Sequence, residues 1–248
     1  MLNPYIFREY DIRGVVTADF DEPDLRLLAK GYGTYFKNNG AKTISIGGDV
    51  RLSTPYIREI LKEEISRCGI DIVDIGPCPT PVQYFSMFHL PVDGGIMITG
   101  SHNPPEYNGF KLTLHKSPVF GDEIQKIKAI TDTGDFAVGN GSIRHVDLFQ
   151  EYMDYIVGSV TLKRPLKIIL DSGNGAAGLI AEKLFKRLGA DVIDLFPEPD
   201  GNFPNHHPDP TVVDNIQALI KEVKQQKADF GVGYDGDGDR IGVVDENG

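Results

Sequence analysis

Residues 69–79 read GIDIVDIGPCP, and residues 189–199 read GADVIDLFPEP. In each, a glycine leads into a β-rich run with aspartates at the same two places, and the run closes on Pro-x-Pro. The correspondence continues downstream. Asp93-Gly94-Gly95-Ile96 precedes TGSHNP as Asp229-Phe230-Gly231-Val232 precedes YDGDGDR. Two ordered matches of this kind point to a duplicated unit.

Around these runs the chain alternates helical periodicity with short β-rich segments, the pattern of βαβ units. Helices are predicted over 24–38, with apolar Leu25, Leu27, Leu28, Tyr32, Tyr35 and Phe36, over 55–68 with Ser53 or Thr54 as cap, over 80–88 and over 122–131. Strands are expected at 43–49, 70–76 and 93–100, with a short extended piece at 109–114. In the second half, helices are predicted over 147–159, up to about Leu188 and over 211–227, with strands at 166–173, within 190–201 and at 228–235. The turn-rich TGDFAVGNGS (133–142) places a boundary nearby, giving expected domains 1–146 and 147–248. The fold class is therefore α/β, with two similar three-layer α/β/α domains built on mixed sheets. Ligands of open α/β sheets gather beyond the carboxyl ends of the strands. TGSHNP and YDGDGDR both fall there, so the two loops are expected to face one cleft.

A formal charge of −11 argues against nucleic acid or an anionic membrane as partner, because no Lys/Arg surplus is available to neutralise phosphates. A small anionic substrate in a locally basic cleft remains compatible. The start, MLNPYIFREYDIRG, carries charges where a signal peptide needs an apolar core, and no run reaches the roughly 20 apolar residues of a membrane span. A cytoplasmic protein is expected. Cys68 and Cys78 lack CxxC spacing and a neighbouring histidine cluster, so they are expected as small buried residues in a reducing compartment.

In YDGDGDR, Asp235, Asp237 and Asp239 alternate with glycine and run into Arg240. With Glu246 they occupy positions 1, 3, 5 and 12 of an EF-hand loop. Arg240 stands at position 6, where that loop needs glycine, and the flanks GVG and IGVV read as strands rather than helices. The loop also resembles the D-x-D turn of aspartyl-phosphate phosphotransferases, which sits near the start of its fold and not at the far end. Three carboxylates at alternate positions repel, which favours a hard cation such as Mg²⁺ over a plain turn. The second loop places Ser101 just past a strand end, with Gly100 before it to allow a tight backbone, His102 beside it and Lys111 ten residues on. A hydroxyl, a divalent ion and nearby cations form a phosphoryl-transfer arrangement.

Together, TGSHNPPEYNGFKL, YDGDGDR, YDIRG (10–14), GGDVR (47–51) and GNFPNHHPDPT (201–211) resemble the α-D-phosphohexomutase superfamily, in its bacterial phosphomannomutase/phosphoglucomutase branch. The resemblance implies a phosphoserine enzyme interconverting hexose 1-phosphate and 6-phosphate, of mannose or glucose, through a hexose 1,6-bisphosphate. It implies Ser101 as phosphoryl carrier, with Asp235, Asp237 and Asp239 binding Mg²⁺ together with an oxygen on Ser101. Arg240 would steady the phosphoryl group, Lys111 and His102 would serve proton transfer or support, and Tyr10, Arg13 and Arg51 would surround the phosphoserine. The family has four domains, of which the first two are matched here. No sequence for the sugar-recognition and phosphate-clamping domains follows Gly248, so the chain alone is expected to turn over substrate poorly. Two alternatives compete: a structural Ca²⁺-binding α/β protein and an aspartyl-phosphate phosphotransferase.

Overall fold

The computed structural model describes residues 2–248. The first unit runs β1 (Ile12–Val15), α1 (Val16–Asp19), α2 (Glu22–Asn38), β2 (Thr43–Gly48), α3 (Thr54–Arg67), β3 (Asp71–Pro77), α4 (Thr80–His89), β4 (Gly94–Ile98), β5 (Tyr107–Leu114), β6 (Ser117–Pro118), α5 (Asp122–Thr133) and β7 (Ile143–His145). The second runs α6 (Phe149–Ser159), β8 (Lys167–Asp171), α7 (Ala181–Arg187), β9 (Asp191–Leu195), α8 (Gln217–Gln226), β10 (Phe230–Tyr234) and β11 (Ile241–Asp245).

Both sheets are mixed. The first is ordered β1-β5-β4-β2-β3-β7, with β6 beside β5, and the second β11-β10-β8-β9. In each, three consecutive strands are parallel, and an antiparallel strand follows the third by a hairpin. The registers coincide. Thr43 lies opposite Asp71 as Lys167 lies opposite Asp191, and Ile44 opposite Gly94 as Ile168 opposite Phe230. The same carboxylate device starts both central strands. Asp93 accepts from the backbone N–H groups of Lys42 and Thr43 (2.7 and 3.0 Å), and Asp229 accepts from that of Lys167 (2.8 Å).

Helices cover both faces of each sheet. α2 begins where Asp21 accepts from the Asp24 N–H (2.8 Å), and its Leu25, Leu28, Tyr32 and Phe36 are fully buried with α3 and α5 over the first sheet. Phe110 of β5 fills the middle of this core, with ring centroids 5.5 Å from Phe20 and 5.4 Å from Tyr32. On the other face, Val73, Val82 and Met97 form a second core with Leu148 and Met153 from around α6 and with Ile180. α6 therefore packs against both α4 and α7 and joins the two sheets.

Several local expectations are corrected. Neither Ser53 nor Thr54 caps α3 with its side chain, because Thr54 donates to Asp49 (2.7 Å) and Ser53 accepts from Asn108 (2.9 Å). The helix expected up to Leu188 is split by a 3-10 turn at Ala176–Leu179, whose first N–H goes to the carbonyl of Gly236 (3.0 Å). The helix expected over 211–227 starts only at Gln217, after a 3-10 turn at Val213–Ile216. β1, which the sequence does not signal, pairs antiparallel with β5 and brings Tyr10 to Arg13 beside the Ser101 loop. Among the described residues no helix is long and apolar enough to cross a membrane.

Truncating Phe110 to alanine is expected to cost about 3–5 kcal/mol, since it empties a ring-sized site between two aromatics that cannot collapse. Urea unfolding measures this, and a loss below about 1 kcal/mol would show that the site does collapse.

Candidate active site at the seam between the two sheets

The Ser101 loop is shaped from beneath by a buried ion pair at the end of β2. Arg51 is fully buried, and all five of its guanidinium N–H groups are used. Nε donates to Asp49 (3.1 Å), Nη1 to the carbonyls of Pro104 (2.6 Å) and Tyr107 (3.0 Å), and Nη2 to those of Ser101 (2.8 Å) and Asn103 (2.6 Å). Asp49 also accepts from Thr54, Thr99 and the N–H of Gly100. Arg51 is expected near the phosphoserine as either scaffold or phosphate contact. With no donor left over, it is the internal scaffold of the loop.

Ser101 itself takes the left-handed conformation, at φ +51°. The tight turn was expected to need the freedom of Gly100, but Gly100 meets a different constraint: a Cβ there would lie 2.5 Å from the Arg51 guanidinium carbon. The strained backbone of Ser101 is held by its N–H bond to Thr99 Oγ1 (2.7 Å) and by the Arg51 bond to its carbonyl. This aims Oγ across the seam, where it donates to Asp235 Oδ2 at 2.8 Å.

Asp235, Asp237 and Asp239 lie on the hairpin between β10 and β11, so the loop is flanked by strands and not by the helices of an EF-hand. One oxygen from each of the three lies within 4.8 Å of the others, and Asp235 and Asp237 are fully buried. Asp237 Oδ2 accepts from Thr80 Oγ1 (2.7 Å) and Lys111 Nζ (2.7 Å), and Lys111 also reaches Asp239 (2.6 Å). Burial and the two neighbouring carboxylates push Asp235 above the usual carboxylate range. Burial would also raise Asp237, but Lys111 outweighs it and holds Asp237 low. For Lys111, burial works to lower the pKa, and the two carboxylates overcome it, so the ammonium is kept protonated above its ordinary value. The donor set suits a hard divalent cation: three carboxylates converge, and the buried Asp237 Oδ1 has no hydrogen-bond partner among the described residues.

The cleft above these groups, about 260 Å³, is lined by Tyr10, Arg13, Ser101, Lys111, Asp239 and Arg240, among others. Arg13 is held by Asp11 (2.5 Å) and donates to Asn103 (2.7 Å), while Tyr10 stands 76% exposed at the rim. His102 Nδ1 lies 3.2 Å from Ser101 Oγ, and its Nε2 faces Arg240 Nη1 at 3.4 Å. Because Arg240 can only donate, the neutral ring carries its proton on Nδ1 and donates to Ser101. Burial, and then Arg240, lower the His102 pKa. In this tautomer His102 donates to the serine oxygen.

The geometry brings a serine hydroxyl on one unit to an acidic cluster on its duplicate. Residues 4–138 match phosphoglucomutase/phosphomannomutase alpha/beta/alpha domain I, and residues 150–248 match domain II. The chain belongs to the phosphoglucomutase/phosphomannomutase family. It is 41% identical over 243 residues to a phosphomannomutase/phosphoglucomutase of Pseudomonas aeruginosa, covering 98% of this chain and 52% of that protein. It is 42% identical over 245 residues to a phosphoglucomutase of Neisseria gonorrhoeae, covering 98% and 53%. A solved structure of a phosphoglucomutase/phosphomannomutase family protein from Burkholderia thailandensis superposes with a TM-score of 0.97 at 41% identity, over 100% of this chain and 56% of that one. The chain thus spans about half the length of the curated relatives it matches.

This member of the phosphoglucomutase/phosphomannomutase family also uses residues that the sequence reading passed over. Asp49 and Thr80 each follow the end of a parallel strand, and that position, beside Gly47-Gly48 and between Pro79 and Pro81, is the only signal they give. His206 lies in the segment after β9, and its Nε2 is 2.9 Å from the fully buried Asp171 at the end of β8. The hydrogen bond to Asp171 raises the His206 pKa against burial. A raised folded-state value means that the stabilisation is complete below the unfolded-state pKa and is lost as the pH rises through the folded one. His206→Gln should therefore cost about 1–3 kcal/mol below about pH 6.5, with the gap to wild type closing at alkaline pH. Urea midpoints across that range test this; a gap that stays constant with pH would overturn it.

Proposed function

We propose that this chain is the catalytic half of a phosphohexomutase. Ser101 carries the phosphoryl group, and the substrate is a hexose phosphate, of mannose or glucose, interconverted between its 1- and 6-phosphates through a hexose 1,6-bisphosphate. The observation that carries the reading is the 2.8 Å contact of Ser101 Oγ with Asp235, which joins the serine loop of one unit to the carboxylates of the other.

The phosphoserine gives up its phosphoryl group to a sugar hydroxyl: the serine O–P bond breaks, a sugar O–P bond forms and the hydroxyl proton passes to the freed serine oxygen. The opposite phosphate of the bisphosphate then returns to Ser101 Oγ: the other sugar O–P bond breaks, the serine O–P bond re-forms and the serine proton passes to the freed sugar oxygen. Asp235, Asp237 and Asp239 would hold Mg²⁺, with an oxygen on Ser101 completing the set. Bound there, the ion supplies a Lewis acid that draws charge from a phosphoryl oxygen. Arg240 and Arg13 line the same cleft and can hold phosphoryl charge as it develops. Lys111, protonated between two carboxylates, can donate to a phosphoryl or sugar oxygen. It can accept a proton only once those contacts break. A structural calcium loop would account for the three aspartates but gives no reason for a strained serine aimed at them.

Incubating the chain with glucose 1,6-bisphosphate and Mg²⁺ should add one phosphate, mapped by peptide mass spectrometry to Ser101 and absent in Ser101→Ala. A label on Asp235 or Asp237 would favour the aspartyl-phosphate alternative, and none at all would overturn the reading. Asp237→Asn should weaken Mn²⁺ binding, read by electron paramagnetic resonance, by about tenfold or more, because one of three converging carboxylates loses its charge. Unchanged binding would place the ion elsewhere.

A further inference from the structure

We propose that Phe203 is a positioning residue for Ser101, acting through Arg51, and that the segment 200–206 is a strap by which the second unit sets the geometry of the serine loop on the first. Phe203 is buried, with its ring centroid 5.3 Å from the guanidinium carbon of Arg51. That guanidinium donates to the carbonyl of Ser101 and to those of three further loop residues, so whatever fixes its plane fixes the loop. Asp49 holds one edge of the plane, and the guanidinium carbon stands over the Phe203 ring, within the range of a cation–π contact.

Phe203 pays a conformational cost to be there. Its φ is +50°, a region that bulky side chains rarely adopt. The strain is retained because the strap is tied down at both ends. The Asp200 N–H donates to the carbonyl of Asn174 (2.9 Å), and His206 bonds Asp171. Between them, Gly201 presses on the backbone of the first unit so closely that a Cβ would lie 2.6 Å from the Leu52 nitrogen and 2.7 Å from the Arg51 Cα. The strap therefore reaches Arg51 from its main chain as well as from its guanidinium. Neither the acidic cluster nor Lys111 touches Phe203, so a change there reaches the carboxylates only through Ser101, whose Oγ bonds Asp235.

The test uses the 248-residue chain in wild-type, Phe203→Ala and Phe203→Tyr forms, with two independent readouts. The first is amide hydrogen exchange over residues 99–107, where the N–H groups of Asn103 and Tyr107 are bonded within the loop. Phe203→Ala should speed exchange there by about tenfold, against little change at 235–240, and Phe203→Tyr, which keeps the ring, should restore protection. Exchange at 99–107 unchanged in Phe203→Ala overturns the proposal, as does loosening spread evenly over both loops, the mark of a merely structural residue. The second readout rests on the phosphoserine reading. The rate of Ser101 phosphorylation at saturating glucose 1,6-bisphosphate should fall about tenfold in Phe203→Ala, while half-saturation stays near wild type. A saturating rate within about twofold of wild type counts against positioning. Absence of phosphorylation in the wild-type chain counts against the function instead, and the exchange experiment still decides the role of Phe203.

Discussion

The site depends on one buried ion pair. Asp49 and Arg51 sit together beneath the Ser101 loop, where burial opposes both charges, raising the Asp49 pKa and lowering that of Arg51. Removing two such ions from water costs several kcal/mol each, and the cost is recovered only when every remaining donor and acceptor is used. Here that condition is met with main-chain carbonyls of a loop that would otherwise need water inside the protein. The pair and the loop hence require each other. β2 is central in its sheet and parallel to β4, so a pair just beyond β2 lies under the turn that leaves β4.

Duplication explains why the other half of the site lies within reach. Ser101 is three residues past the end of β4, and Asp237 is three residues past the end of β10, in units whose strand registers coincide. The same position on the same scaffold thus carries a hydroxyl in one unit and a carboxylate in the other. A hydroxyl has little nucleophilic power alone, and clustered carboxylates repel. Facing each other across a shared core at α6, the two loops supply what each lacks.

Much of this was legible because it is written in periodicity and punctuation. The repeated β-run with Pro-x-Pro, the apolar face at Leu25, Leu28 and Tyr32, and the alternating aspartates each state a local rule that the fold obeys. Less legible were features set by long-range contacts. Ser53 and Thr54 look like caps, but Asp49 and Asn108 claim their hydroxyls; Arg51 reads as either scaffold or phosphate contact until its five bonds are traced. The 3-10 turn at 176–179 answers to a carbonyl of the distant hairpin, which no helix propensity encodes. Thr80 was invisible because its partner, Asp237, is 157 residues away in sequence.

The contacts of the site cross the seam repeatedly. Ser101 meets Asp235, Thr80 and Lys111 meet Asp237, and His102 faces Arg240, with the first unit contributing the first-named side chains each time. Thr80 also opens α4, whose N-terminal N–H donates to the Asp237 carbonyl (2.9 Å). Separating the units would leave the Asp237 carboxylate without its ammonium and its threonine, and breaking a buried pair on one side costs about 3–5 kcal/mol. Slight opening therefore incurs the penalty without gaining full hydration, which disfavours separating the units at the seam. The bisphosphate of the proposed cycle must present its two ends in turn to Ser101. With the serine bonded to one of the carboxylates, turning the ligand keeps those contacts, whereas moving the serine would break them.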